Sequence, residues 1–281
     1  MRHWTALLGA GAATLAGAGA ARAQVQEALD ALPVVGAPWP AGIDFQFPAT
    51  ELARELQGLE YMTTIIISAI TLLVMGLILT VVLRYNRKSN PRPATFTHNS
   101  PVEIAWTIGP ILILVFIGAF SLPVLFNQQE IPEGDITIKV TGYQWYWGYE
   151  YVDEDIAFES YMLAPEELAD FGYDESLYKL ATDTAVVVPV GATVVMQVTG
   201  ADVIHSWTIP AFGVKQDAIP GRLAELWFAA EREGTYFGQC SELCGKDHAF
   251  MPITVKVVSP ELYRDWLIEN GGASVQTAAL E

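Results

Sequence analysis

The chain has 281 residues, 52% of them hydrophobic and only 17% charged, which is too apolar for an ordinary soluble protein. Its 32 acids against 15 Lys and Arg give a formal net charge of −17, which repels nucleic acid and favours basic partners. The two cysteines are too few for a disulfide framework.

Residues 1–23 begin with Arg2 and His3, continue through a small-residue apolar run and end in Ala21-Arg22-Ala23. A basic start, an apolar middle and an Ala-x-Ala end predict a signal peptide, with the mature chain starting near Gln24. A membrane anchor is the competing reading, but the run is short and rich in Gly and Ala. Residues 24–60 then read as an exported N-terminal segment. Residues 61–83 contain no charge and as a helix would extend about 34 Å, enough to cross the hydrocarbon layer. Residues 102–126 form a second span with one charge, Glu103, at its start. The sequence Ser100-Pro101-Val102-Glu103 reads as a capping box with proline at the first helical position, which alone accounts for a glutamate there.

The connection between the spans, 84–101, carries Arg84, Arg87, Lys88 and Arg92 and no acid, so the positive-inside rule places it in the cytoplasm. Both mature termini then face outward, in agreement with an N-terminal export signal. The expected location is a bacterial inner membrane, crossed twice, with everything after the second span on the periplasmic side.

Residues 127–270 are expected to form that exported domain, with 271–281 a mobile tail lacking core residues. From residue 127 on there are 8 Lys and Arg against 25 acids, so all the net charge lies here. The runs 135–152, 184–200, 203–210, 223–230, 234–239 and 253–258 are β-branched or aromatic and separated by turn formers. They predict a Greek-key β-sandwich or barrel. Residues 164–180 read as an acidic insertion with a helical turn, and 260–270 as a short closing helix. Within YQWYWGYEY, read as one strand, Tyr143, Trp145, Trp147, Tyr149 and Tyr151 share a side. Most of these rings suit a barrel core or an aromatic belt near lipid, and at least one could instead lie over a metal site. The acids Glu150, Asp153, Glu154, Asp155 and Asp202 serve solubility or, being close in sequence to Trp145 and His205, a docking patch for a basic partner.

The densest chemistry lies in GQCSELCGKDHAFMP, residues 238–252, where Cys240, Cys244, His248 and Met251 fall within twelve positions. Two thiolates, an imidazole and a thioether suit copper, and His205 in DVIHSW supplies a further imidazole. A mononuclear blue-copper site needs one cysteine; a second allows two thiolates to bridge two coppers. The competing reading is a disulfide, common in an oxidising compartment. All the soft ligands converge on one turn-rich segment, which favours copper.

In family order, the two-helix hairpin, YQWYWGYEY, DVIHSW, KQDAIPGR and GQCSELCGKDHAFMP together resemble subunit II of the haem–copper cytochrome c oxidases, over nearly the whole mature chain. The last block is highly specific and the others weak alone. The resemblance implies a membrane-anchored cupredoxin domain holding the dinuclear CuA centre. It implies that Cys240 and Cys244 bridge the coppers, that His205 and His248 bind one each, and that Met251 and the Glu242 carbonyl complete the shells. It further implies that the Glu242 side chain binds magnesium facing subunit I. Trp145 matches the ring receiving electrons from a basic, separate cytochrome c, and Glu103 the carboxylate at the cytoplasmic mouth of a proton path. Electrons would pass to the haems, which belong to subunit I, where oxygen is reduced and protons are pumped. Other oxidase subunits and membrane lipid complete the implied surroundings. A membrane-tethered copper chaperone or thiol oxidoreductase is the alternative; it would need a βαβ pattern and normally one anchor. A quinol oxidase subunit II would lack the copper ligands.

Overall fold

The computed structural model describes residues 22–92 and 94–272, so most of the expected signal peptide and of the expected tail lie outside the described residues. The chain divides into two compact units, one comprising residues up to Arg54 and from Glu130 onward, the other Glu55–Gln129.

The larger unit is a β-sandwich. It begins with helix α1 (residues 22–30) and strand β1 (Val34–Gly36). After the membrane segments come β2 (Ile136–Tyr143), β3 (Tyr146–Tyr151), β4 (Ile156–Ser160), β5 (Val186–Pro189) and β6 (Thr193–Gly200). Then follow β7 (His205–Ile209), β8 (Val214–Ala218), β9 (Ala224–Ala229), β10 (Gly234–Gln239) and β11 (Pro252–Val258). One sheet has the order β1-β10-β11-β5, the other β4-β3-β2-β6-β9, and β7-β8 form a separate ribbon. The core between them holds Trp147, Trp207, Tyr149, Tyr236, Phe212 and Phe228, all fully buried. The Phe212 ring lies 4.7 Å from both Phe228 and Tyr236, and buried aromatics of this size dominate core energetics. Their polar ends are satisfied: Tyr236 donates to the Arg232 carbonyl at 2.7 Å and the Trp207 indole N–H to the Tyr149 hydroxyl at 3.3 Å.

The stretch 135–152, expected as one strand, is the hairpin β2–β3 turning at Gln144-Trp145. Those two residues carry none of the usual turn chemistry, so sequence alone gives no sign of the break. Trp147, Tyr149 and Tyr151 point inward as expected, but Tyr143 pairs across the turn with Tyr146, their rings stacked 4.7 Å apart. The stretch 184–200 likewise divides into β5 and β6. The acidic insertion contains two 3-10 turns, Leu168–Phe171 and Glu175–Leu177, seated on a small core with Leu163, Ala181 and Phe237. Helix α4 (Pro260–Asn270) forms as expected, its N-terminus capped by Ser259, whose hydroxyl accepts from the Leu262 N–H at 3.2 Å.

The residues before the first span belong to this unit. β1 adds a parallel strand beside β10. Thr50 caps helix α2 (Glu51–Arg84) and also donates to the Phe212 carbonyl at 2.7 Å, burying Leu52 and Ala53 against the sandwich. Arg54 makes a bidentate pair with Glu231.

The smaller unit is the helical hairpin of α2 and α3 (Ser100–Gln129). Both helices are long and apolar enough to cross a membrane, and in each no residue of the most apolar window is buried. Several of their hydroxyls donate to the carbonyl one turn back, as Thr63 to the Leu59 carbonyl and Thr80 to the Gly76 carbonyl. Asn127 donates to Glu55 at 3.1 Å, joining one pair of helix ends. The α3 cap is one residue earlier than its sequence suggests. Asn99 Oδ1 accepts from the Val102 N–H at 3.3 Å, while Glu103 accepts from the Asn99 N–H at 3.0 Å. Asn99 is the better acceptor for this role because Ser100 has already entered the helix.

Candidate metal centre

The ligand-rich segment is the connection between β10 and β11, whose antiparallel register runs from Gly234 opposite Val257 to Gln239 opposite Pro252. Cys240 therefore leaves one strand as Met251 approaches the next, and both are buried. His205 opens β7 and is fully buried below the same loop. It fits because Gly142, at the end of β2, has no side chain: a Cβ there would lie 2.9 Å from two atoms of the imidazole ring. Trp147 stands edge-on to His205 with ring centroids 5.9 Å apart, and its indole N–H donates to the Met251 carbonyl at 3.2 Å.

The two cysteines are free thiols with their sulfurs 3.9 Å apart. Around them, His248 Nδ1 lies 3.6 Å and Met251 Sδ 3.5 Å from Cys244 Sγ, and the Glu242 carbonyl 3.3 Å from Cys240 Sγ. The ligand atoms of His205, Cys240 and Cys244 all lie within 4.8 Å of one another. All six expected copper-ligand residues thus come together.

The donor set fits a metal on two grounds. His205 Nε2 is engaged by Asp202 at 2.8 Å, while its Nδ1 is buried without a hydrogen-bond partner. An orphaned, buried nitrogen lone pair is costly unless something binds it. The thiols give the second ground. Burial pushes the Cys240 thiol up, but His205 and the backbone at Glu242 and Ser206 outweigh it and hold the group below its ordinary value. Burial and then the Cys240 charge push the Cys244 thiol well above its ordinary value. Burial lowers the His205 pKa, while Cys240 and Asp202 beside it raise it, and the net direction is upward. The pocket accommodates one thiolate readily and resists a second, which a bound cation would reverse.

Trp145 is half-buried at the tip of the β2–β3 turn, against this loop. Gln144 Nε2 donates to the Cys244 carbonyl at 2.7 Å, and the Lys246 ammonium lies 5.4 Å from the Trp145 ring centre. Gly245, at φ +131°, leaves space that a Cβ would fill 3.0 Å from the indole. Glu242 is exposed, and no other carboxylate joins it in a metal-binding group among the described residues.

The acids expected to serve docking lie at different places on the domain. Glu150 is paired with Lys139 at 2.7 Å. Asp153, Glu154 and Asp155 lie in the turn after β3, whose six residues separate them from Trp145 by about 20 Å. An extended strand carries these sequence neighbours apart. Asp202 does lie at the site, but its carboxylate is engaged with His205 and with the N–H groups of Gln144 and Val203. Sequence reasoning missed the roles of Asp202, Gln144 and Trp147 here. The Asp-x-x-His spacing was the available signal for the first.

A family model described as the cytochrome c oxidase subunit II periplasmic domain matches residues 136–258, and one for its transmembrane domain matches 38–124. The chain is 59% identical over 296 aligned positions to cytochrome c oxidase subunit 2 of Cereibacter sphaeroides, covering 100% of this chain and 96% of the relative. The corresponding protein of Zea mays is 40% identical, with 82% of this chain and 89% of the relative covered. A crystal structure of the periplasmic domain of cytochrome oxidase subunit II from Bradyrhizobium japonicum is 50% identical, with a TM-score of 0.45. The match covers 50% of this chain and 96% of that one.

Proposed function

The chain belongs to the cytochrome c oxidase subunit II family, a membrane-bound component of an oxidoreductase, and we propose that it uses the pocket described above to hold the dinuclear CuA centre. Cys240 and Cys244 would bridge the coppers, His205 through Nδ1 and His248 would each hold one, and Met251 and the Glu242 carbonyl would complete the shells. The centre, when bound, would supply one-electron storage shared over two metals, taking electrons singly from cytochrome c and passing them to haem in subunit I. The observation that carries this reading is the pair of buried free thiols set beside an unpartnered His205 Nδ1. The fold contributes a closed loop whose donors are already in place, so little rearrangement accompanies metal uptake.

Trp145 would be the ring facing the cytochrome, held against the loop by Gln144. The domain's large negative charge would steer a basic cytochrome at long range, with Glu150, Asp153, Glu154, Asp155 and Asp202 contributing to it. The exposed Glu242 carboxylate would bind magnesium where the loop meets subunit I, with the remaining ligands from that subunit. Glu103, besides closing the start of α3, would stand at the mouth of a proton path into subunit I. Arg84 at the end of α2, with Arg87, Lys88 and Arg92 after it, would set the orientation: linker in the cytoplasm, sandwich in the periplasm, α2 and α3 crossing the inner membrane.

The test is copper content and electron spin resonance of the purified oxidase complex. Two coppers assigned to this subunit, with one unpaired electron shared equally between them, are expected. A Cys240–Cys244 disulfide that takes up no copper after reduction would refute the reading.

A further inference from the structure

One carboxylate connects the turn that carries Trp145 to the histidine aimed into the sulfur pocket. Asp202 Oδ2 accepts the Gln144 N–H at 2.8 Å. Its Oδ1 accepts the Val203 N–H at 2.6 Å and lies 2.8 Å from His205 Nε2. An ionised carboxylate only accepts, so the shared proton sits on Nε2 and the Nδ1 lone pair points into the pocket. That Nδ1 is the buried nitrogen without a partner. Gln144 has a second tie, from its side chain to the Cys244 carbonyl at 2.7 Å. The residue preceding Trp145 is thus held to both sides of the pocket, by its backbone through Asp202 and by its side chain through the loop.

We propose that Asp202 is a positioning residue for electron transfer, fixing the His205 tautomer and clamping the Gln144–Trp145 turn to the same group. This deepens the copper reading and rests on it. A carboxylate behind a metal-bound histidine orients the ring and raises its basicity, and losing such a partner typically costs 10–100-fold in affinity or activity. Here the same carboxylate also fixes the distance between the Trp145 ring and the pocket. Although the side chain is 36% exposed, both of its oxygens are bonded to groups of this chain. A contribution limited to surface charge would leave those contacts without consequence.

The test uses the intact oxidase complex carrying Asp202→Asn or Asp202→Glu, with reduced cytochrome c as donor. Rapid mixing over a range of cytochrome concentrations separates the limiting rate of copper reduction from the half-saturating concentration. Electron spin resonance reads the nitrogen couplings of the histidine ligands. In D202N the limiting rate is expected to fall about tenfold or more, with altered nitrogen couplings and a raised midpoint potential. D202E keeps the charge but displaces the carboxylate. It should lower the limiting rate and alter the couplings with an unchanged half-saturating concentration, and it carries the test alone should D202N not assemble. Asp202 would be reduced to a docking charge if D202N only raised the half-saturating concentration, or if D202E matched the wild type in rate and couplings. Absence of the copper signal from the wild-type complex would instead overturn the copper reading itself, so the two failures are distinguishable.

Discussion

Replacing Gly142 by alanine would place a methyl group where the His205 ring now lies. The new Cβ would stand 2.9 Å from the ring's Cγ and Cδ2 and 3.0 Å from its Cβ. Comfortable carbon contacts need about 3.5–4.0 Å, so the ring or the strand must give by more than half an ångström. His205 has little freedom to yield, being fully buried, bonded to Asp202 at 2.8 Å and flanked by Trp147. Overpacking of this kind costs about 1–3 kcal/mol in stability. A displaced ligand with a stretched Asp202 contact should also lower copper affinity by about 10–100-fold. The control is Gly148→Ala in the neighbouring strand, where the added Cβ meets the edge of the Tyr143 ring at 3.2 Å and the Thr141 carbonyl at an ordinary 3.9 Å. That change should stay within about 0.5 kcal/mol and leave the copper site intact. Thermal unfolding and competitive copper titration of the two variants in the assembled oxidase measure the difference. Equal melting temperatures and equal copper affinities in G142A and G148A would refute the claim that β2 seats the histidine.

Cys244→Ser should reduce the copper held by this subunit from two ions to one at most, because the lone remaining thiolate would have to supply the sulfur ligation of both metals; metal analysis decides it. Copper affinity should fall as pH falls, since both thiols must shed protons and the Cys244 thiol already sits above its ordinary value; titrations between pH 6 and pH 8 check the slope. Thr50→Val removes both the α2 cap and the buried bond to the Phe212 carbonyl, and should cost about 1–2 kcal/mol by thermal unfolding without changing the copper spectrum. Copper reduction by a basic cytochrome should slow steeply as salt rises past the point where the screening length reaches about 8 Å. A flat stopped-flow response would argue against long-range steering.

Much of the fold was legible from local pattern. The two apolar runs, with Glu103 their single charge, announce α2 and α3 because hydrocarbon tolerates only continuous apolar helix at that length. Ser259-Pro260-Glu261 marks the start of α4 because a cap, a fixed φ and an acid suit a helix N-terminus. The strands hardest to read were short or polar: β4 carries two exposed side chains in five, and β8 reads Val-Lys-Gln-Asp-Ala. The N-terminal residues that form α1 and β1 show no periodicity that announces their place on the sandwich. The Gln144-Trp145 turn was hidden among strand-forming aromatics, and its concealment displaced the expected side of Tyr143.

By itself the sequence determined the donor set of the metal site, since Cys240, Cys244, His248 and Met251 share one loop and their spacing limits how far apart they can lie. It also determined the apolar helical hairpin and the acidic character of the β-domain, which are properties of composition. Only the tertiary structure decided which distant groups complete the site. His205 reaches the sulfurs because β7 lies beside the loop from β10, and Asp202 is a clamp because the β2–β3 turn folds back onto it. The acids after β3 lie about 20 Å away because an extended strand carries them there. Local spacing fixes neighbours along a loop, while contacts across a sandwich depend on strand pairing and close packing that no short segment encodes.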